Sequence, residues 1–114
     1  MAALHLDTPL LKAPPELFGP DRTVWLKMDA LQPSGSFKMR GVCHLVQRRV
    51  AEGAKAVVCA SGGNAGYAVA YAARRLGMQA TIVVPMAASP RNQDLIRGEG
   101  ATLVNDEGLR FMPA

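Results

Sequence analysis

The sequence predicts a three-layer α/β fold with a parallel sheet. Short Val- and Ile-rich runs at 55–60, 80–85 and 101–105 alternate with helical stretches at 64–76 and 90–98. Continuous apolar strands that alternate with helices are typical of a parallel sheet covered on both faces. Aromatic residues make up only 5% of the chain, and its many small residues suit close packing of helices on a sheet.

Residues 1–35 are expected to form an N-terminal arm and a first strand. Four prolines rule out a long helix in the first part of this arm, namely Pro9, Pro14, Pro15 and Pro20. Residues 8–11 suit a short extended piece, and the alternating residues 23–29 (TVWLKMD) predict a strand. The turn-forming residues 32–35 (QPSG) end this region.

Residues 36–105 are expected to form a small α/β domain. Its first helix is predicted from Ser36 to a stop at Gly53. The apolar residues at helical spacing are Met39, Val42, Leu45, Val46 and Val50. Gly77 closes the next predicted helix, and the pair 89–90 (Ser-Pro) supplies a cap and a first helical residue for the last one.

The α/β pattern dissolves into an irregular tail at residues 106–114. A parallel sheet of three strands with an open edge is a poor stopping point for a self-sufficient domain. We therefore expect that the chain is cut short relative to the fold that it encodes.

The net charge of +4 raises the question of a nucleic-acid partner. The basic residues are scattered, however, and the doublets at 48–49 and 74–75 fall near predicted helix ends, where cations offset the helix dipole. We expect neither a nucleic-acid nor a membrane partner, since no apolar run approaches the length of a membrane helix.

The two cysteines, Cys43 and Cys59, are too few and too isolated for a disulfide framework or a zinc site. Both lie in apolar runs, which favours buried, reduced thiols. No signal peptide is apparent at the start of the chain. We expect a cytoplasmic protein without a metal site.

Lys38 is the first candidate for chemistry. It follows Ser36 and Phe37 in the first turn of a predicted helix, where the positive end of the helix dipole favours a neutral amine. A neutral amine is the form that attacks a carbonyl. Phe37 supplies an apolar face that could support a planar ring. For an isolated lysine, a solvated side chain at a helix start would be the simpler interpretation.

The second candidate is the loop 61–66 (SGGNAG), between a predicted strand and a predicted helix. Its glycines allow a close backbone approach, and free N–H groups at a helix start attract a carboxylate or phosphate. The spacing matches neither a dinucleotide-binding loop nor a Walker A loop. A tight strand-to-helix turn without a ligand remains the alternative at this point.

Residues 26–29 (LKMD), 32–41 (QPSGSFKMRG) and 61–66 together resemble the serine/threonine dehydratases, which are fold-type II pyridoxal-phosphate (PLP) enzymes related in fold to the tryptophan synthase β subunit. The resemblance extends over about residues 8–105. The variant at 32–35 is similar to the L-serine dehydratase branch. Met39 stands where threonine synthases usually have Asp.

This resemblance implies that Lys38 holds PLP covalently and removes the α-proton of the substrate, that Phe37 lies against the pyridine ring, and that Asn64 donates a hydrogen bond to the ring oxygen. The substrate carboxylate would be bound by Ser61, Gly62, Gly63, Asn64 and Ala65. The implied activity is the deamination of L-serine or L-threonine to a 2-oxo acid and ammonia, in a family whose full-length members could be homodimers.

Two differences from the family pattern limit which functional properties the resemblance implies for this chain. Ala60 stands where dehydratases commonly have Ser or Thr, and the glycine run that grips the PLP phosphate in the family is absent. We therefore expect the isolated chain to be inactive. A non-enzymatic α/β remnant, a serine racemase and a threonine synthase remain as alternatives.

Overall fold

A computed structural model describes residues 2–105, so the expected irregular tail at 106–114 lies outside the described residues. The N-terminal part begins with strand β1 (Leu10–Lys12), a four-residue helix α1 (Pro15–Phe18) and strand β2 (Trp25–Lys27). β1 and β2 pair with each other in antiparallel fashion, Leu11 opposite Leu26. The extended piece expected at residues 8–11 and the strand expected at residues 23–29 therefore pair as one two-stranded ribbon. The second strand, β2, is shorter than predicted.

Helix α1 is a local feature that the sequence reasoning missed. Pro15 occupies its first helical position, where a missing N–H has no cost, and Gly19 ends it with φ of +97°. The four prolines exclude a long helix, as expected, but they leave room for this single turn.

A 3-10 turn at Asp29–Leu31 follows β2 and was not predicted. The helices and strands after it confirm the predicted order and type. They are α2 (Lys38–Ala51), β3 (Ala56–Ala60), α3 (Asn64–Arg75), β4 (Gln79–Val83), α4 (Pro90–Gly98) and β5 (Thr102–Val104). The Oγ atom of Ser89 accepts a hydrogen bond from the Asn92 N–H at 3.2 Å and so caps α4. α2, the longest helix, has 14 residues, and no helix within 2–105 is long and apolar enough to cross a membrane.

The three strands of the main sheet are parallel in the order β3-β4-β5. The register pairs Cys59 with Ile82, and Ile82 with Leu103. The carboxyl ends of the strands, near Ala60 and Val104, therefore lie at the same edge of the sheet. The loop 61–66 leaves the sheet at this edge.

One face of the sheet and the helices α2, α3 and α4 share a single core. Its largest fully buried side chains are Met39, Cys43, Ile82, Val84 and Ile96. Burial alternates along the strands, and Val58, on the opposite face, is 73% exposed. The structure thus confirms the parallel α/β architecture, but among residues 2–105 it differs from the expectation of a sheet covered on both faces. The reason is that α2, α3 and α4, the helices that supply buried residues, all share the core on the same face of the sheet.

Candidate functional site

Lys38 is the first residue of α2, directly after the turn that residues 32–37 form. Along this turn exposed and buried residues alternate: Ser34 and Ser36 are buried, whereas Phe37 is 64% exposed. Met39, the next helical residue, is fully buried. The turn is therefore anchored on its inner side, and it presents Phe37 and Lys38 to the outside.

The side chains of Lys38 and Phe37 lie together. The Nζ atom of Lys38 is 5.2 Å from the centroid of the Phe37 ring, a distance at which the ring face attracts an ammonium group. An exposed amine and an exposed aromatic ring thus lie side by side.

The loop 61–63 is held tightly against the start of α3. The Gly63 N–H donates a hydrogen bond to the Ser61 Oγ at 3.3 Å, and the Gly63 carbonyl accepts one from the Tyr67 N–H at 3.1 Å. A Cβ atom at Gly66 would clash with the Ser61 carbonyl oxygen, and one at Gly62 would lie 3.0 Å from the Cβ of Ala88. Glycine is therefore required for these close approaches.

Asn64 is the first residue of α3 and its side chain is exposed, while Ala65 is half-buried. Ser61, Gly62 and Gly63 are also half-buried. The residues expected to bind a carboxylate are thus contiguous, and they lie where the first N–H groups of a 12-residue helix become available.

Chain topology brings the two candidate segments to the same end of the sheet. α3 connects β3 to the parallel strand β4, so it runs opposite to the strands and starts at their carboxyl ends. α2 leads into β3 through residues 52–55, packs against α3 and shares the core with it, so it also starts at that end. Lys38 and Asn64, each at the start of its helix, therefore face the same edge.

This edge is suited to an anion. Within the described chain neither α2 nor α3 has a side-chain cap at its N-terminus. At α2, however, the N–H groups of residues 39 and 40 already donate to the carbonyl oxygens of residues 36 and 37, at 3.4 Å and 3.2 Å, so it is the start of α3 that offers N–H groups to a ligand. The Oγ atoms of Ser34 and Ser36 are buried and have no hydrogen-bond partner among residues 2–105. Uncapped helix starts, unpartnered hydroxyls and an exposed amine fit a phosphorylated carbonyl compound.

Sequence reasoning missed a polar cluster that includes Arg40 in the first turn of α2. The carboxylate of Asp29, which is 8% exposed, accepts hydrogen bonds from the Thr8 Oγ1 at 2.6 Å, the Arg40 Nε at 2.8 Å and the Gln32 Nε2 at 3.1 Å. The hydrogen bond from Arg40, followed by that from Thr8, holds the pKa of Asp29 well below its usual range. The sequence carried one usable signal, namely that Asp29, Gln32 and Arg40 belong to the quoted motifs.

A cavity of the described chain lies away from these residues. It has a volume of about 580 Å³ and is lined by Tyr67, Arg91, Asp94, Leu95, Gly98 and Glu99, and so includes neither Lys38 nor the loop 61–66. Since Phe37, Lys38 and Asn64 are exposed, the candidate residues form an open surface.

The cysteines take no part in this surface. Cys43 is buried in the core, and desolvation raises the pKa of its thiol to about 11. Burial also raises the pKa of Cys59. Both are free thiols, and a neutral thiol is a poor nucleophile.

The chain is similar in sequence and in structure to known proteins. It is 50% identical over 103 residues to the L-serine dehydratase/L-threonine deaminase of Mus musculus, a match that covers 89% of this chain and 31% of that protein. The structure resembles the fungal L-serine ammonia-lyase from Rhizomucor miehei with a TM-score of 0.77 and 39% identity, covering 91% of this chain and 34% of that one. It also resembles serine racemase from Dictyostelium discoideum, with a TM-score of 0.78 and 35% identity. That match covers 89% of this chain and 34% of the racemase chain.

The chain thus spans about 31% of the length of the curated relative that it matches. A family model described as pyridoxal-phosphate dependent enzyme matches residues 2–110, which is nearly all of the chain. The fold and the order of the motifs agree with this match, and the chain belongs to the family of pyridoxal-phosphate dependent enzymes.

Proposed function

We propose that this chain carries the lysine-bearing part of a PLP-dependent ammonia-lyase that deaminates L-serine and L-threonine. The observation that carries the proposal is that Lys38 and Phe37 are exposed at the start of α2, at the edge of the sheet where the loop 61–66 begins α3. The identity of 50% to an L-serine dehydratase/L-threonine deaminase supports the choice of reaction.

In this proposal Lys38 has two tasks at one atom. Its Nζ would hold the cofactor through the cofactor's carbonyl carbon and, once the amino group of the substrate has replaced it there, would as a neutral amine accept the proton from the α-carbon of the substrate. When bound, PLP supplies an electron sink for the pair left by that proton. The β-hydroxyl would leave as water with the proton that the Lys38 Nζ took from the α-carbon. Uptake of one water in the final hydrolysis would then give the 2-oxo acid and ammonia.

The remaining residues bind and orient. The amide of Asn64 donates a hydrogen bond to the ring oxygen of the cofactor, and Phe37 lies against the ring. The Ser61 hydroxyl and the N–H groups of residues 62–65 would bind the substrate carboxylate, with the favourable end of the α3 dipole behind them. The Gly63 N–H, which donates to the Ser61 Oγ at 3.3 Å, would exchange that hydrogen bond for one to the carboxylate.

We expect the 114-residue chain by itself to hold the cofactor weakly and to lack deaminase activity. Its sequence has no glycine-rich run of the kind that grips the PLP phosphate in this family, and it spans about 31% of a dehydratase. A cytoplasmic location and a homodimeric longer form belong to the same proposal. The two free thiols are compatible with a reducing compartment.

Racemisation of serine is the second candidate, because a serine racemase resembles this structure with a TM-score of 0.78. Both reactions begin with removal of the α-proton by a lysine. They differ in product: a racemase forms D-serine, whereas an ammonia-lyase forms pyruvate.

The decisive test is fixation of the cofactor on the chain. The purified chain is incubated with PLP, its absorbance spectrum is recorded before and after borohydride reduction, and the modified peptides are mapped. We expect PLP on Lys38, no fixation in Lys38→Ala, and unchanged fixation in the control Lys55→Arg. Diffuse labelling of all four lysines, which are Lys12, Lys27, Lys38 and Lys55, would overturn the assignment of Lys38.

A further inference from the structure

We infer that Asp29 is a positioning residue that couples residues 6–8 to the first turn of α2 and thereby holds Lys38 in place. Residues 6–8 are only a small part of the N-terminal region 1–35, and in this subsection they alone are called the arm. This inference deepens the proposed function and rests on it in one respect, that Lys38 is the reactive lysine. The coupling itself rests on contacts between segments that are far apart in sequence.

The arm is attached to the lysine turn by the side chain of Gln32. Its Oε1 accepts a hydrogen bond from the Leu6 N–H at 2.8 Å, and its Nε2 donates one to the Leu6 carbonyl oxygen at 2.8 Å. These two hydrogen bonds resemble those between neighbouring strands, although Leu6 and Gln32 are 26 residues apart in sequence. Gln32 is 3% exposed, so water competes little for these hydrogen bonds.

Asp29 lies where the arm, the turn and the helix meet. One carboxylate oxygen accepts hydrogen bonds from Thr8 of the arm at 2.6 Å and from Gln32 of the turn at 3.1 Å. The other accepts the Nε–H of Arg40, in α2, at 2.8 Å. Since three segments share one nearly buried carboxylate, the loss of any one partner affects how the other two are held.

Arg40 transmits this contact to Lys38. Its Nη2 also lies 3.3 Å from the Thr8 Oγ1 and 3.4 Å from the Leu6 carbonyl oxygen, so the guanidinium group contacts both the carboxylate and the arm. Arg40 follows Lys38 by two residues, a rotation of about 200° around the helix. The arm therefore holds one side of the first turn while Lys38 projects from the other.

No side chain in the described part of the protein caps the start of α2, so the contact through Arg40 adds to the two backbone hydrogen bonds, from the N–H groups of residues 39 and 40, that hold the first turn. The last turn offers a contrast. There Arg49 pairs with Glu52 at 2.8 Å, but their side chains are 55% and 52% exposed, and an exposed pair of this kind contributes little. Glu52, the residue that directly follows α2, thus provides a matched control for the loss of one carboxylate.

The test compares Thr8→Val, Asp29→Asn and the control Glu52→Gln in the full 114-residue chain. Amide hydrogen exchange is followed in residues 36–41, and the rate of borohydride fixation of PLP is followed on Lys38. Thr8→Val lies 30 residues from Lys38 and leaves the Asp29–Arg40 pair in place. We expect exchange in 36–41 to rise, and fixation on Lys38 to slow, by about tenfold in Asp29→Asn, the size expected for loss of a hydrogen bond to a charged group.

We expect a smaller change of the same sign in Thr8→Val, recovery in Thr8→Ser, and no change in Glu52→Gln. Exchange in α3 must stay unchanged, which separates a local effect from general unfolding. If Asp29→Asn does not fold, the coupling is tested by Thr8→Val and Thr8→Ser alone, through the exchange in residues 36–41.

Unchanged exchange in 36–41 for Thr8→Val and Asp29→Asn would overturn the coupling, whatever the cofactor does. Raised exchange together with unchanged fixation on Lys38 would overturn the positioning role. If the wild-type chain does not fix PLP on Lys38 but exchange responds as expected, the coupling stands and the proposed function fails.

Discussion

The Nζ atom of Lys38 lies 5.2 Å from the centre of the ring of Phe37, the residue before it, and both side chains are exposed. The two are adjacent because Phe37 already has helical dihedral angles, φ of −65° and ψ of −18°, although α2 begins only at Lys38. The backbone of the turn therefore sets up a lysine beside an aromatic face before any ligand arrives.

Replacing Phe37 by Leu should weaken the binding of PLP to this chain about fivefold, since an aromatic stack contributes about 1 kcal/mol beyond the buried area. Titration of the chain with PLP, monitored by absorbance, measures the change. Leu31→Ala is the matched control, because Leu31 is also exposed, at 59%, and precedes the turn. Equal affinity for wild type and Phe37→Leu would contradict a role for the ring.

The stability that Asp29 contributes should depend on pH in a defined direction. The pKa of Asp29 is lowered in the folded chain, chiefly by the hydrogen bond from Arg40, so the folded state favours the carboxylate. The contribution is present in full above the ordinary carboxyl pKa of about 3.9 and is lost as the pH falls toward the lower folded value.

Urea unfolding of wild type and Asp29→Asn at several pH values measures this effect. We expect the difference in unfolding free energy to be constant between about pH 5 and pH 7 and to shrink below about pH 4. A difference that stays constant down to pH 2 would show that the charge of Asp29 is not what stabilises the fold.

Gly66 and Gly41 should respond to alanine in opposite ways. Both lie in helices, where alanine is favoured over glycine by about 1 kcal/mol. A Cβ at Gly41 meets nothing within 4 Å, whereas one at Gly66 clashes with the Ser61 carbonyl oxygen and lies 3.1 Å from Ile82.

We therefore expect Gly41→Ala to stabilise the chain by about 0.5–1 kcal/mol and Gly66→Ala to destabilise it by about 1–3 kcal/mol. Thermal or urea unfolding measures both. Stabilisation by Gly66→Ala would mean that the loop 61–63 does not lie against α3 as described.

Cys43 should resist alkylation until the chain unfolds. Its pKa of about 11 in the folded chain leaves little thiolate at pH 8, and its side chain is buried. We expect alkylation by iodoacetamide to be slower by at least about 100-fold than in urea, in line with the change in thiolate fraction. Peptide mapping after timed quenching measures the rate. Comparable rates in the two conditions would place Cys43 outside the core.

The order of helices and strands from residue 36 onward was predictable because each element depends on neighbours a few residues away. The spacing of Met39 and Val46 identifies a helix, and Ser89 caps α4 through the N–H only three residues ahead. Likewise the segments around Lys38 and Asn64 were recognisable as contiguous motifs. What each residue does in those motifs stays a prediction until cofactor fixation is tested.

Other features were decided by the tertiary structure. Which face of the sheet is buried depends on where α2, α3 and α4 pack, and the apolar run around Val58 does not encode it. The contact of Asp29 with Thr8 and Arg40 joins residues 21 and 11 positions apart. No periodicity relates such residues, because a side chain finds a distant partner only after the backbone has closed the distance. The chain sequence alone thus determined the elements from residue 36 onward and the motif residues, and the fold determined which buried carboxylate contacts the lysine helix through Arg40.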